Sequence, residues 1–167
     1  MPRLALAALL ALAACASDVP TPDASTASQP AADMPSAPPA DAPVLTVYKS
    51  PTCGCCSTWA QAMEREGFRV ETVDTNRLAA VRDSLGMPGD LAACHTATVG
   101  GYTVEGHVPP SAIRRLLAER PDARGIAVPG MPIGSVGMEQ GDARMPYNVL
   151  LIGSDGEAVV YEHVPGA

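Results

Sequence analysis

The sequence predicts an α/β (α+β) fold over residues 44–167. In this range, short β-branched runs alternate with stretches whose apolar residues recur at helical spacing. Glycine and proline residues separate the runs and mark where each element ends. The range holds about 120 residues, which is enough for one compact core.

The first strand and the first helix flank a group of cysteines. Residues 44–48 are β-branched and aromatic, which predicts a short buried strand. Residues 50–56 interrupt this pattern and contain three cysteines. A helix follows and ends at Gly67. Its predicted inner face has the spacing i, i+3, i+4 and i+7, in Trp59, Ala62, Met63 and Glu66.

The remaining core elements follow from the same signals. In chain order they are a strand at 68–73, a helix at 78–85, a hairpin of strands 96–99 and 102–105, and a helix from 109 to 121. Gly100 and Gly101 supply the tight turn of the hairpin. The order is therefore β-α-β-α-β-β-α. A parallel strand pair joined by a helix and followed by an antiparallel hairpin is the thioredoxin-like arrangement.

A C-terminal extension follows this predicted core. Residues 125–146 are rich in glycine, proline and methionine, which predicts a loop. Two apolar runs, 147–152 and 158–163, predict a final β-hairpin that turns at Ser154-Asp155-Gly156.

Residues 1–14 have the pattern of a lipoprotein signal peptide. Arg3 precedes an apolar stretch of 11 residues that runs from Leu4 to Ala14. The sequence Leu12-Ala13-Ala14-Cys15 resembles the bacterial lipobox, which implies cleavage before Cys15 and acylation of that cysteine. Within this resemblance, Ala16 favours the outer membrane. An ordinary signal peptide, cleaved after an Ala-x-Ala site, is the alternative.

Residues 15–43 are predicted to be the lipidated cysteine and a disordered tether. Residues 16–43 include seven prolines and four aspartates but no lysine or arginine, so they cannot bury enough apolar surface to fold. No apolar run reaches the roughly 18 residues of a membrane-spanning helix, so the lipid anchor is the only predicted membrane contact. The net charge of −7 argues against a nucleic-acid partner, which would need a basic face. The predicted location is the periplasmic face of the membrane.

Three cysteines, Cys53, Cys55 and Cys56, are the most informative feature of the sequence. They lie at the predicted N-terminus of the first helix, where backbone amides carry partial positive charge and stabilise thiolates. Cys53 and Cys56 have the C-x-x-C spacing of redox enzymes, but Cys55 adds a sulfur that disulfide exchange does not need. Three such sulfurs suit a soft ion, above all Cu(I), better than Mg²⁺ or Ca²⁺.

Cys94 and His95 supply the second half of the predicted metal site. In thioredoxin-like proteins, the residue that enters the third strand is usually a cis-proline lying against the C-x-x-C motif. When the strands are matched by order, His95 or its neighbour Cys94 occupies that position. A thiol and an imidazole there favour metal binding over substrate docking. The alternative is a small buried cysteine beside a hydrogen-bonded core histidine.

Three further residues are weaker candidate ligands. Met131 and Met138 lie in the predicted loop, and thioether sulfur binds Cu(I), although methionine is also ordinary core filler. His107 lies at the end of the fourth strand and is predicted either to bind the metal or to orient another ligand.

Two structural disulfides are the alternative to a metal site. With Cys15 lipidated, four thiols remain in an oxidising compartment. The most natural pairing joins Cys53 to Cys56 and Cys55 to Cys94. It leaves unexplained why three cysteines crowd the end of one strand.

Four motifs in matching order carry a family resemblance. They are Lys49-Ser50-Pro51-Thr52-Cys53-Gly54-Cys55-Cys56-x-x-Trp59, Cys94-His95-Thr96-Ala97, Glu105-Gly106-His107-Val108-Pro109 and Val128-Pro129-Gly130-Met131-Pro132-x-Gly134-Ser135. Together they resemble the DUF411 family, whose copper-resistance members are called CopG. The resemblance implies a periplasmic, thioredoxin-like protein in which the four cysteines of these motifs bind copper. Val136 departs from the family pattern, where we expect proline.

The sequence therefore predicts a periplasmic copper-binding protein that contributes to copper resistance. It would hold Cu(I) in a thiolate site, with a multinuclear cluster and a coupled Cu(I)/Cu(II) change as extensions, and would exchange copper with a periplasmic donor or acceptor protein. Metal binding is predicted ahead of enzyme activity. An enzyme would be a copper oxidoreductase or a thiol–disulfide oxidoreductase that uses Cys53 and Cys56. A structural zinc site formed by the cysteines and His95 is a further alternative.

Overall fold

The computed structural model describes residue 40 and residues 42–166. The predicted signal peptide, Cys15 and nearly all of the predicted tether lie outside the described residues. The elements within them are β1 Val44–Lys49, α1 Gly54–Arg65, β2 Arg69–Asp74, α2 Leu78–Ser84, a 3₁₀ turn Gly89–Leu91, β3 His95–Val99, β4 Tyr102–Glu105, α3 Pro110–Glu119, β5 Ala123–Ala127, β6 Tyr147–Gly153 and β7 Ala158–Val164. No helix in this part of the chain has both the length and the apolar character needed to cross a membrane.

A single mixed sheet organises the domain. Its strands lie in the order β2-β1-β3-β4-β5-β6-β7. β1 pairs in parallel with β2 and β4 in parallel with β5, while the other neighbours are antiparallel. The predicted order of elements from β1 to α3 and the predicted C-terminal hairpin are both present. The mixed α/β class is therefore confirmed.

One strand was not predicted. The sequence places a loop over residues 125–146, but residues Ala123–Ala127 form β5, so the loop begins after it. Gly125 was interpreted as a loop residue, whereas it lies opposite Thr103 in the β4–β5 ladder. A Cβ atom at Gly125 would overlap the carbonyl oxygen of Thr103. This glycine therefore marks a close approach of two backbones inside the sheet.

Replacing Gly125 with alanine is expected to lower the free energy of unfolding by about 3 kcal/mol, because the new methyl group must displace strand backbone. Urea denaturation of the two proteins measures the difference. Gly89→Ala is the matched control, since a Cβ at Gly89 meets no atom within 4 Å. Equal stability of the Gly125→Ala protein and the control would contradict the close approach.

The inner face of α1 differs from the prediction at three positions. Trp59 and Met63 are fully buried as predicted, but Ala60 is buried with them and Ala62 is only half-buried. Glu66 is exposed, because it follows the last turn of the helix and its carboxylate pairs with Arg114 at 2.9 Å. The buried face still anchors α1, so it fixes where the cysteines at its N-terminus lie.

The end of β1 and the start of β3 meet at one edge of the sheet. In the β1–β3 ladder, Lys49 is paired with His95. The cysteine segment follows β1 directly, and Cys94 directly precedes β3. The topology therefore brings together the two halves of the predicted metal site, which are about 40 residues apart in sequence.

Candidate metal centre

The first half of the site is a tight turn that caps α1. Cys53 is the N-cap residue, and its Sγ accepts a hydrogen bond from the backbone N–H of Cys56 at 3.4 Å. The N–H of Cys53 in turn donates to the carbonyl oxygen of Ser50 at 3.0 Å. Capping by Cys53 satisfies a backbone donor that the helix leaves free. The same hydrogen bonds hold Cys53, Cys55 and Cys56 around one turn, which we call the cysteine turn.

Two of the three cysteines in this turn are joined. Cys53 and Cys56 form a disulfide with a Cα–Cα distance of 5.4 Å. Among the described residues, Cys55 and Cys94 are free thiols. The Sγ of Cys55 lies 3.6 Å from that of Cys53 and 3.7 Å from that of Cys94. Cys55 is therefore the sulfur that connects the helix turn to the second half of the site.

Cys94 and two histidines form the second half. The Sγ of Cys94 lies 3.0 Å from Nε2 of His107 and 3.5 Å from Nδ1 of His95. The carbonyl oxygen of Cys94 lies 3.3 Å from Sγ of Cys56. The potential ligand atoms fall into two overlapping groups that share Cys94, and within each group all of them lie within 4.8 Å of one another. One group is Cys53, Cys55, Cys56 and Cys94, and the other is Cys94, His95 and His107.

His107 is held in an orientation that suits a metal ligand. Its Nδ1 donates a hydrogen bond to the carbonyl oxygen of Val136 at 2.8 Å, which leaves Nε2 facing the Cys94 sulfur as the acceptor of a neutral ring. Burial lowers the pKa of His107, although the Val136 hydrogen bond acts in the opposite direction. Burial therefore favours the neutral ring that metal binding requires.

His95 lies deeper in the same group. Its ring is fully buried, 4.5 Å from the Trp59 ring and 5.0 Å edge-on from the His107 ring, measured between centroids. Burial, reinforced by the neighbouring His107, lowers the pKa of His95 to about 3. Its Nε2 has no hydrogen-bond partner among the described residues, which is unusual for a buried polar atom.

Cys94 carries a proton when no metal is present. Burial first, and then the neighbouring Cys55, raise the pKa of Cys94 to about 12. A soft cation that bound the sulfur would displace this proton, because the thiolate is the ligand. The metal-free site therefore contains uncharged ligand groups. The Cys94 thiol becomes a thiolate when a cation binds and displaces its proton.

The structure brings six of the eight predicted ligands together, namely the four cysteines of the motifs, His95 and His107. Met131 lies on the outside of the loop after β5, with 52% of its surface exposed. Met138 is half-buried and follows Gly137, where a Cβ would lie 2.9 Å from the Cys55 carbonyl oxygen. The loop thus covers the cysteine turn.

Of the two disulfides predicted as the alternative to a metal site, only the first is present. Cys53 is bonded to Cys56, but Cys55 and Cys94 remain thiols with their sulfurs 3.7 Å apart. This arrangement leaves two free thiols and His107 close to the disulfide. A site of this composition is typical of soft metal ions.

Comparison with known proteins places this arrangement in a family. The model of a family described as a protein of unknown function, DUF411, matches residues 91–138. A solved structure of a copper resistance protein, CopG in its Form 2, is 40% identical, with a TM-score of 0.72 over 75% of this chain and 100% of that chain. The chain belongs to the DUF411 family. CopG in its Form 1 is 41% identical, with a TM-score of 0.70 over 74% of this chain and 98% of that chain.

No curated protein sequence matches the chain. The range matched by the DUF411 model includes Cys94, His95 and His107, but it begins at residue 91, downstream of the cysteine turn, and so does not include that turn. The structural likeness to CopG covers three quarters of this DUF411 chain. The predicted family is confirmed, and the second half of the site lies inside its matched region.

Sequence reasoning missed two buried charged residues next to this DUF411 site. Glu105 is fully buried at the end of β4, and Arg82 of α2 is 8% exposed. In the sequence, Glu105 stands out only as part of a motif that carries the family resemblance. A charged residue at the end of a strand whose other residues are apolar or small was the signal that could have identified it.

Proposed function

We propose that this protein is an exported, periplasmic copper-binding protein that contributes to copper resistance by holding Cu(I). The observation that carries the proposal is the convergence of four cysteine sulfurs and two imidazoles in two overlapping groups, each within 4.8 Å. The similarity to a copper resistance protein over its full length supports copper in particular. Thiolate sulfur is the preferred ligand of Cu(I), and neutral imidazole also suits copper.

The sulfur spacing supports binding of more than one ion. Cys55 lies 3.6 Å and 3.7 Å from its two sulfur neighbours, so one Cys55 thiolate can bridge ions held on either side. We propose that reduced protein holds a multinuclear Cu(I)–thiolate cluster. Met131 and Met138 are proposed as additional thioether ligands from the loop that covers the cysteine turn.

The Cys53–Cys56 disulfide provides a redox partner for the metal. Its reduction consumes two electrons and two protons and yields two thiols. Two Cu(I) ions that become Cu(II) release the same two electrons. We propose that copper oxidation and disulfide reduction are coupled in this way, and that a periplasmic donor or acceptor protein exchanges copper with the site.

The number of bound ions is expected to depend on the state of this disulfide. Reduced protein presents four thiols, whereas the disulfide form presents Cys55 and Cys94 only. An anaerobic Cu(I) titration against a competing chelator should therefore show a larger stoichiometry after reduction. The double variant Cys53→Ser, Cys56→Ser should show the smaller value under both conditions. The proposal would be refuted if the wild type bound the same number of Cu(I) ions before and after reduction, or if it bound no Cu(I).

A second candidate function is thiol–disulfide exchange with protein or small-molecule disulfides. The Cys53–Cys56 disulfide at the N-terminus of α1 favours it, and so does a proposed thioredoxin-like unit over β1 to α3. The strand order β2-β1-β3-β4, with β1 parallel to β2 and antiparallel to β3, supports that topology. Disulfide reductase turnover that persists in a Cys94→Ser variant and in the presence of a chelator would favour this function over copper binding.

The proposed location follows from the N-terminal residues. Acylation of Cys15 would attach the chain to the periplasmic face of the outer membrane, and residues 16–43 would hold the metal domain away from the lipid surface. The whole chain has a net charge of −7, which suits a protein that attracts cations.

A further inference from the structure

A buried ion pair lies directly behind the second half of the site. The carboxylate of Glu105 is fully buried and accepts a hydrogen bond from Nε of Arg82 at 2.9 Å. A second guanidinium nitrogen of Arg82 lies 2.9 Å from the same oxygen. This pair joins α2 to the end of β4, and neither residue is among the proposed ligands.

The pair is hydrogen-bonded to the residues on both sides of Cys94 and His95. Oε1 of Glu105 accepts a hydrogen bond from the backbone N–H of Ala93 at 2.7 Å, and Oε2 accepts one from the hydroxyl of Thr96 at 2.6 Å. The guanidinium of Arg82 donates to the carbonyl oxygen of Ala93 at 3.0 Å. The residues before Cys94 and after His95 are therefore tied to one carboxylate.

The turn that directly follows Glu105 determines where His107 leaves the sheet. Gly106, between Glu105 and His107, has a φ of 74°, and its N–H donates to the carbonyl oxygen of His95 at 2.9 Å. A Cβ at Gly106 would lie 2.5 Å from both the Ala93 Cβ and the Val128 carbonyl oxygen. This tight turn places His107 against the Cys94 sulfur.

We infer that Glu105 and Arg82 are positioning residues that hold Cys94, His95 and His107 in metal-binding geometry. This inference rests on the proposed copper function. A buried ion pair contributes little net stability, because desolvation offsets the attraction between its charges. Its three hydrogen bonds to the residues that flank Cys94 and His95 indicate that the pair positions this segment. The cysteine turn does not depend on this pair, because α1 holds that turn.

Removing the carboxylate should therefore weaken one half of the site and spare the other. Loss of an outer partner that orients metal ligands typically costs about tenfold to a hundredfold in metal affinity. We expect a Cu(I) affinity lowered by about that factor in Glu105→Gln, measured by anaerobic chelator competition. Copper X-ray absorption should show a smaller nitrogen contribution from the histidines and retained sulfur scattering.

Two controls separate positioning from general stability. Glu119 has the same kinds of partner on the protein surface, an arginine at 2.7 Å and a tyrosine hydroxyl at 2.7 Å, so Glu119→Gln is the matched variant. Val149→Ala removes a buried side chain of β6 and lowers stability without touching the site. Both controls should bind copper as the wild type does, and a loss in Val149→Ala as large as in Glu105→Gln would overturn the inference.

A measurement without metal tests the geometry independently. In the Cys53–Cys56 disulfide form, diamide takes two electrons and two protons from the Cys55 and Cys94 thiols and leaves a disulfide between them, which peptide mass spectrometry quantifies. Closure should be about tenfold slower in Glu105→Gln, since Cys94 is no longer held beside Cys55. If Glu105→Gln does not fold, Thr96→Val should slow closure in the same direction and Thr96→Ser should restore it.

The outcomes distinguish this inference from the proposed function. Unchanged closure and unchanged copper affinity in a folded Glu105→Gln protein would overturn the positioning role alone. Slower closure in a protein whose wild type binds no Cu(I) would leave the positioning role standing and refute the copper function.

Discussion

Replacing Cys55 with serine is expected to lower the Cu(I) affinity of the reduced protein by about a hundredfold. Cys55 is the sulfur closest to both halves of the site, 3.6 Å from Cys53 and 3.7 Å from Cys94. Serine nearly preserves the size of the side chain, but its hydroxyl is a hard ligand that Cu(I) binds poorly. Loss of this bridge would leave the cysteine turn and the Cys94–His107 group as two separate weak sites. Anaerobic competition with a Cu(I) chelator measures the change.

Ser57→Ala is the control for this variant. Ser57 lies in the same turn of α1, and its hydroxyl donates to the carbonyl oxygen of Cys53 at 3.2 Å, so the change perturbs the helix start without removing sulfur. Its Cu(I) affinity should remain within about threefold of the wild type. A Cys55→Ser protein that binds Cu(I) as tightly as this control would contradict a bridging role for Cys55.

The Cu(I) affinity is also expected to depend on pH. Cys94 by itself should contribute a rise of about tenfold per pH unit between about pH 6 and pH 8. Burial raises the pKa of Cys94 to about 12, so this thiol keeps its proton throughout that range when no metal is bound. Each ion that binds the sulfur must displace the proton, and a lower proton concentration favours displacement. The affinity therefore falls as the pH falls.

His95 should add nothing to this dependence, because its pKa is about 3 and its ring is neutral over the measured range. Burial also lowers the pKa of His107, which reduces the contribution of that ring. Chelator competition at several pH values, corrected for the titration of the chelator, gives the slope. In Cys94→Ser, the slope should decrease by about one proton. A wild-type Cu(I) affinity that stays constant or falls with increasing pH would contradict this prediction.

Local signals in the sequence were sufficient for the first half of the site. The strand β1, the cysteines after it and the apolar face of α1 lie within 20 residues or so of one another, and each has its own pattern. Trp59 and Met63 were predicted to be buried, and they are. Glu66 was misplaced because the end of a helix depends on its capping hydrogen bonds, which apolar periodicity does not describe.

Distant contacts explain what could not be predicted. Gly125 resembles a loop residue until Thr103 is placed opposite it. His107 was a candidate ligand, but its orientation depends on a carbonyl oxygen 29 residues away, at Val136. Glu105 and Arg82 are separated by 23 residues and reveal their partnership only when α2 packs against the sheet. Periodicity and spacing carry no information about such pairs.

The most direct test of the central claim is the metal bound by protein purified without air from cells grown with copper. Elemental analysis and X-ray absorption at the copper edge identify the ion, its oxidation state and its ligands. We expect Cu(I), with sulfur as the main ligand and nitrogen from histidine as a minor one. Zinc in place of copper, or copper without sulfur ligands, would contradict it.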